Sequence, residues 1–192
     1  MAGTEKSDWR RKILTARRAL DLETRTVEAA QLAQHVAELA SGCAVTCAYV
    51  PMSTEPGSLA LLDALTAAGS RVLLPLADEP GALDWAEYTD TEHLVAARHG
   101  VLEPTGPPLG PEAIAGAELV LLPALAVDHE GHRLGRGAGF YDRSLGLASP
   151  RARLVAVVRA DEVVARLPSE PHDIAVNWAL TPAGLIRLGQ AL

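Results

Sequence analysis

The chain has 192 residues, 48% of them hydrophobic and 21% charged, enough for one well-buried domain and too few for a second compact one. A net charge of −7 argues against a general nucleic-acid binder, and no apolar run reaches the ~18 residues that span a bilayer. Residues 1–12 are polar with no signal-peptide core, which makes a cytoplasmic setting the expectation. Cys43 and Cys47 have no further cysteine to join them, so a cysteine metal quartet is excluded and both read as small buried thiols.

In chain order, the segment from residue 8 to about residue 19 has Trp9, Ile13, Ala16 and the adjoining Leu20 at helical spacing with basic residues opposite. Arg11, Lys12, Arg17 and Arg18 there read as a solvated face. A second helix is predicted over 23–40, with Val27, Leu32, Val36 and Leu39 inward and Gly42 as its stop. The apolar run 44–50 reads as a strand. Ser58 then caps a helix through Ala68, closed by Gly69, and 71–76 is the next strand. Residues 85–88 read as an additional, less buried strand. The Gly- and Pro-rich stretch 98–111 reads as an extended surface loop. Strands at 119–122, 154–158 and 174–180, with a helix at 140–147, complete the series.

Helices alternating with buried strands imply a single-domain, three-layer α/β/α open sheet, mostly parallel and Rossmann-like. Ligands of such sheets collect at the carboxyl ends of the strands. The loops 51–58 and 123–139 then open on one edge, so a single cleft gathers Glu55, Arg133 to Tyr141 and Asp142. His35, His93, His99, His129 and His132 show no ligand spacing and read as surface residues.

The most informative segment is Arg133-Leu134-Gly135-Arg136-Gly137-Ala138-Gly139-Phe140-Tyr141-Asp142. Alternate glycines permit positive φ and let ligand atoms approach backbone amides, and a concave run of amides suits anionic oxygens. Arg133 and Arg136 add planar, permanently charged donors suited to phosphate. Asp142 is placed either to hold a divalent cation or to serve as a first-turn acid of the following helix. A glycine-rich turn alone is commonly no more than a turn; here two arginines, a tyrosine and an acid accompany it. The segment is neither a Walker A loop nor a dinucleotide fingerprint, since its spacing fits neither.

Leu121-Leu122-Pro123-Ala124-Leu125-Ala126-Val127-Asp128, the turn His129-Glu130-Gly131-His132 and RLGRGAGFYDRSL together resemble the signature of the 5-formyltetrahydrofolate cyclo-ligase family. Lys6 and Arg10, Tyr49-Val50-Pro51-Met52-Ser53-Thr54-Glu55, Glu170-Pro171-His172-Asp173-Ile174 and Leu180-Thr181-Pro182 resemble further family motifs in the right order. The resemblance implies a CoA-transferase-like α/β fold and an enzyme that turns 5-formyltetrahydrofolate and ATP into 5,10-methenyltetrahydrofolate, ADP and phosphate. It implies ATP contacts from Lys6, Arg10, Arg133, Leu134, Gly135, Arg136, Gly137, Ala138, Gly139, Phe140 and Tyr141. Folate contacts fall to Met52, Glu55, Gly57, Trp85 and Tyr141, with Trp85 open to a core role instead. Arg136, Tyr141 and Asp142 are the expected catalytic residues. Asp142 and Asp173 are the expected Mg²⁺ ligands, although His172-Asp173 also reads as a polar turn. Small-molecule substrates, no nucleic-acid or membrane partner, and a monomer are expected.

The chain departs from the family pattern at four places. Gly57 stands where an acid is common, Ala138 where Gly or Lys is found, Phe140 where a first tyrosine precedes Tyr141, and Asn177 where some members have an aspartate. Two other classes stay open on sequence: a non-catalytic folate or nucleotide binder, and a phosphosugar- or CoA-handling enzyme of related architecture.

Overall fold

The computed structural model describes residues 2–52, 54–76, 81–170 and 173–189, apart from the side chains of residues 2–4 and 99. Ser53, Pro171, His172 and the His99 side chain lie outside the described residues. Two helices open the chain, α1 (Ala2–Ala19) and α2 (Leu22–Ala40), the second started by Asp21, whose carboxylate accepts from Thr24 N at 2.7 Å. Then come β1 (Val45–Cys47), α3 (Ala60–Ala67), β2 (Arg71–Leu76), β3 (Asp84–Glu87), β4 (Leu94–Ala96) and β5 (Leu102–Pro104). Next are β6 (Leu119–Pro123), β7 (Ala126–Asp128), β8 (Arg133–Leu134) and α4 (Phe140–Leu145). The chain closes with β9 (Arg153–Val157), β10 (Val163–Val164), β11 (Trp178–Thr181) and β12 (Gly184–Arg187).

Seven strands form the main sheet in the order β12-β11-β9-β6-β1-β2-β3. The inner five are parallel, and β3 and β12 add antiparallel edges. Strand alternation splits the core. Leu119, Leu121, Val155 and Val157 pack with Leu32, Val36, Leu61 and Leu65 of α2 and α3. Val120, Leu122, Ala156 and Val158 pack on the other face with Ile114 and Leu145. This is the expected three-layer architecture. β1 pairs with β2 on one side and β6 on the other, so the strand order reverses between β1 and β6. A crevice opens at such a switch point, between the loops that leave the two strands.

Helix α1 joins a third, smaller core instead of the main sheet. Its Ile13, with Trp9 and Leu14, packs on Leu125, Ala126, Leu134 and Leu167 around the three-stranded sheet β10-β7-β8. That docking carries the front of α1 over the crevice.

Several expectations need correction. Val27 is 52% exposed, because it lies five residues, about 140° of helical turn, from buried Leu32. Arg17, read as solvated, is 1% exposed. Ser58 accepts from Ala60 N at 3.3 Å, but the position preceding α3 is Leu59, with no side-chain cap. β3 is not a marginal strand: Trp85 and Ala86 are fully buried. The stretch 98–111 is not one irregular loop, since β5 within it pairs antiparallel with β4. The last parallel strand starts at Trp178, four residues later than the apolar run suggests. His35 and His132 are half-buried, His35 Nε2 lying 3.2 Å from Pro182 O.

Candidate active site

The loop leaving β1 folds back on itself. Glu55 N donates to Met52 O at 2.8 Å, and Met52 N donates to Glu55 Oε2 at 2.9 Å. This closed turn holds the Glu55 side chain at 7% exposure. Its other oxygen, Oε1, accepts from Arg136 Nε at 3.0 Å across the switch point.

The loop leaving β6 is built around a buried aspartate. Asp128 Oδ1 accepts from the backbone N–H groups of Glu130 and His132, and Oδ2 accepts from Leu167 N. Gly131 sits in that turn at φ 92°, and a Cβ there would lie 2.2 Å from Val176 O, so only glycine fits. Asp128, Glu130 and His132 bring ligand-capable atoms within 4.8 Å of one another. Both Asp128 oxygens already accept backbone hydrogen bonds, one from the turn and one from Leu167, so the cluster reads as a clamp that aims β8 at the crevice.

From β8 onward the glycine-rich segment lines the crevice. Arg133 is nearly buried, donates to Asp142 Oδ1 at 2.7 Å and lies 5.7 Å from the Tyr141 ring centre. Gly135 O accepts from Arg10 Nε at 3.0 Å, and Gly137 turns at φ 107° close beside the same guanidinium. Gly139 takes φ 70° just ahead of α4, whose first turn carries Phe140, Tyr141 and Asp142. Lys6, one turn before Arg10 on α1, donates to Asp173 Oδ2 at 2.9 Å and Glu170 Oε2 at 3.0 Å.

These groups surround one cavity of about 470 Å³. The expected residues Lys6, Arg10, Met52, Glu55, Asp173 and all of 133–142 line it. Asp173 reaches it although it precedes a strand, because Lys6 bridges it to α1. Two expected folate contacts fall elsewhere. Trp85 is fully buried in the core on the α4 face of the sheet, and Gly57 lies outside the cavity lining. Sequence reasoning missed Glu170, although it stands in the same motif as Asp173, and missed Tyr49 at the head of the β1 loop. It also missed Val101 and Leu102, which form an apolar wall with Pro75 and Leu83; no local pattern marks them.

Burial shapes the electrostatics. Burial first, then the Glu55 charge, pushes the Tyr141 phenol well up, with Arg133 opposing. The cavity thus holds neutral phenol and charged pairs side by side.

Fold and cleft together define a class: a Rossmann-like α/β enzyme whose cation-lined crevice sits at the switch point of its sheet. The chain belongs to the 5-formyltetrahydrofolate cyclo-ligase family, whose model matches residues 2–182. A 5-formyltetrahydrofolate cyclo-ligase of Mycolicibacterium smegmatis is 45% identical over 194 residues, covering 98% of this chain and 100% of its own. The solution structure of 5,10-methenyltetrahydrofolate synthetase from Aquifex aeolicus superposes with a TM-score of 0.76 at 26% identity, covering 97% of this chain and 94% of that one. The 5,10-methenyltetrahydrofolate synthetase of Mycoplasma pneumoniae shares the fold, with a TM-score of 0.72 at 16% identity over 91% of this chain and 97% of that one. The protein is an enzyme of this ligase type, acting on small molecules in folate metabolism. None of its described helices is long and apolar enough to cross a membrane.

Proposed function

We propose that the cavity binds Mg-ATP and 5-formyltetrahydrofolate together and forms 5,10-methenyltetrahydrofolate, ADP and phosphate. The carrying observation is that Lys6, Arg10, Arg133 and Arg136, drawn from opposite ends of the chain, line one cavity, three of them resting on carboxylates. A triphosphate can take over the cations, which are suited to its oxygens. The carboxylates so released suit a hard divalent cation. Asp142 and Asp173 are the fitting pair, as oxygen donors in the same cavity beside those cations. Bound there, Mg²⁺ would neutralise phosphate charge.

The chemical difficulty is a formyl oxygen that leaves badly from an amide-like carbon. That oxygen attacks the γ-phosphorus, the bond to the β-phosphate oxygen breaks, and ADP departs. N10 of the same molecule then attacks the activated carbon, loses its proton and expels phosphate. The first step needs positioning and charge stabilisation and no side-chain nucleophile. Arg136 and Arg133 meet the charge, and the 135–139 backbone offers amides to the phosphates. The second step is intramolecular, so a folate held in bent geometry supplies much of the rate. The apolar wall of Met52, Pro75, Leu83 and Leu102 suits the folate rings, and Tyr141 lines the same cavity.

The test follows methenyl product by its absorbance, from 5-formyltetrahydrofolate with and without Mg-ATP. Product is expected only with both ATP and Mg²⁺. Product without ATP, or none with it, overturns the proposal.

A further inference from the structure

Tyr49 follows β1 and lines the cavity with Glu55 and Tyr141, yet is only 4% exposed. Its hydroxyl oxygen is fully buried and has no hydrogen-bond partner among the described residues. Hydroxyls at such depth are ordinarily bonded, since an unmade bond costs about 1–3 kcal/mol. The titratable groups that act on it most strongly include Glu55, Tyr141, Arg17 and Glu162. Arg17 and Glu162 are bound to each other. The one unpartnered nitrogen of Arg17, Nη1, is a donor and can never receive the tyrosine proton. Neither Glu55 nor Tyr141 is hydrogen-bonded to it, so among the described residues the Tyr49 hydrogen lacks an acceptor. The cavity it lines is where one arrives.

We infer that the Tyr49 hydroxyl donates to the ring carbonyl of the pterin, beside the edge that Glu55 takes. The inference rests on the folate reading above. A 2-amino-4-oxo pterin presents two N–H donors and then a carbonyl acceptor along one edge. Glu55 carries about four lone-pair sites and uses two of them, on Met52 N and Arg136, so it retains room for both donors. The neighbouring tyrosine contributes the complementary O–H. Burial first, then the Glu55 charge, raises the pKa of this phenol, which keeps it a donor. Phenylalanine at 49 would preserve the ring and remove only that hydrogen.

The experiment titrates wild type and Tyr49→Phe, without ATP, with 5-formyltetrahydrofolate and with the matching 4-amino compound, whose carbonyl is replaced by an amino donor and whose N3 no longer carries a hydrogen. The change in discrimination between the two proteins therefore reads Tyr49. Wild type is expected to favour the oxo ligand by about tenfold or more. Tyr49→Phe is expected to lose about tenfold for the oxo ligand and nothing for the amino one. Its KM for ATP and its melting temperature should not worsen, because the removed hydroxyl has no partner among the described residues of the unliganded protein. Equal losses on both ligands, unchanged folate affinity, or a lowered melting temperature with discrimination intact each overturn the inference. A wild-type protein that binds neither compound overturns the folate reading itself. Folate turnover with an indifferent Tyr49→Phe leaves that reading standing and removes only Tyr49.

Discussion

One oxygen of Asp142 is held by a nearly buried arginine, while the other has no hydrogen-bond partner among the described residues. Asparagine would keep the bond from Arg133 through its carbonyl oxygen and lose the charge that attracts a cation. Asp142→Asn should therefore lower turnover roughly 100-fold, with an unchanged circular dichroism spectrum and unfolding curve. Wild-type rates in that variant would refute the metal role. Arg136 poses a different balance, because it is exposed and, among the described residues, is tied to Glu55 alone. Removing it should raise the KM for ATP roughly tenfold and disturb folate less, and steady-state kinetics with each substrate varied in turn would check this. A folate effect as large as the ATP effect would assign Arg136 to the wrong ligand.

At the scale of elements, α1 does two jobs with one stripe. Lys6, Arg10, Ile13 and Arg17 recur at helical spacing, the first two over the crevice and the last two buried. Arg17 makes two bonds to Glu162, at 2.6 and 2.7 Å, and a third to Ala124 O at 2.7 Å. The pair ties the helix to the end of β6, so the crevice and its cationic roof share one anchor. Glu162→Gln leaves a buried guanidinium without its counter-charge, which costs about 3 kcal/mol or more. Denaturant unfolding measures that loss. A change near zero would mean that water reaches the pair. The position of Arg17 was legible after all: four residues beyond Ile13, it shares the inward face, and its charge alone made it look solvated.

Across the whole molecule, Lys6 joins the first helix to the loop before β11. Burial lowers the pKa of its ammonium, but the hydrogen bonds and charges of Asp173 and Glu170 outweigh that and leave it raised. A pKa raised by folding contributes stability that is complete below the unfolded value and fades as pH climbs through the folded one. The melting difference between wild type and Lys6→Met should hold steady from neutral to about pH 10 and shrink beyond it. Thermal melts across that range test the sign. A difference that collapses before pH 9 or so would show that the lysine is unpaired in solution.

Chain order and local period fixed much in advance. The alternation of apolar strands and helices implied a layered, mostly parallel sheet, and the 133–142 segment announced a glycine-rich loop that lines the cleft. Both are short-range patterns, carried by neighbouring residues and by what glycine and arginine permit. Burial of Trp85, the β4–β5 wall and the meeting of Glu55 with Arg136 across 81 positions carried no such mark. Nor did local sequence bring Asp173 to the cleft, where a lysine 167 residues away holds it. Such contacts form only when the sheet order sets which loops face each other. Composition and periodicity determined the parts of this enzyme, and tertiary packing alone decided which charges stand opposite which, because that depends on distances in space that no local pattern encodes.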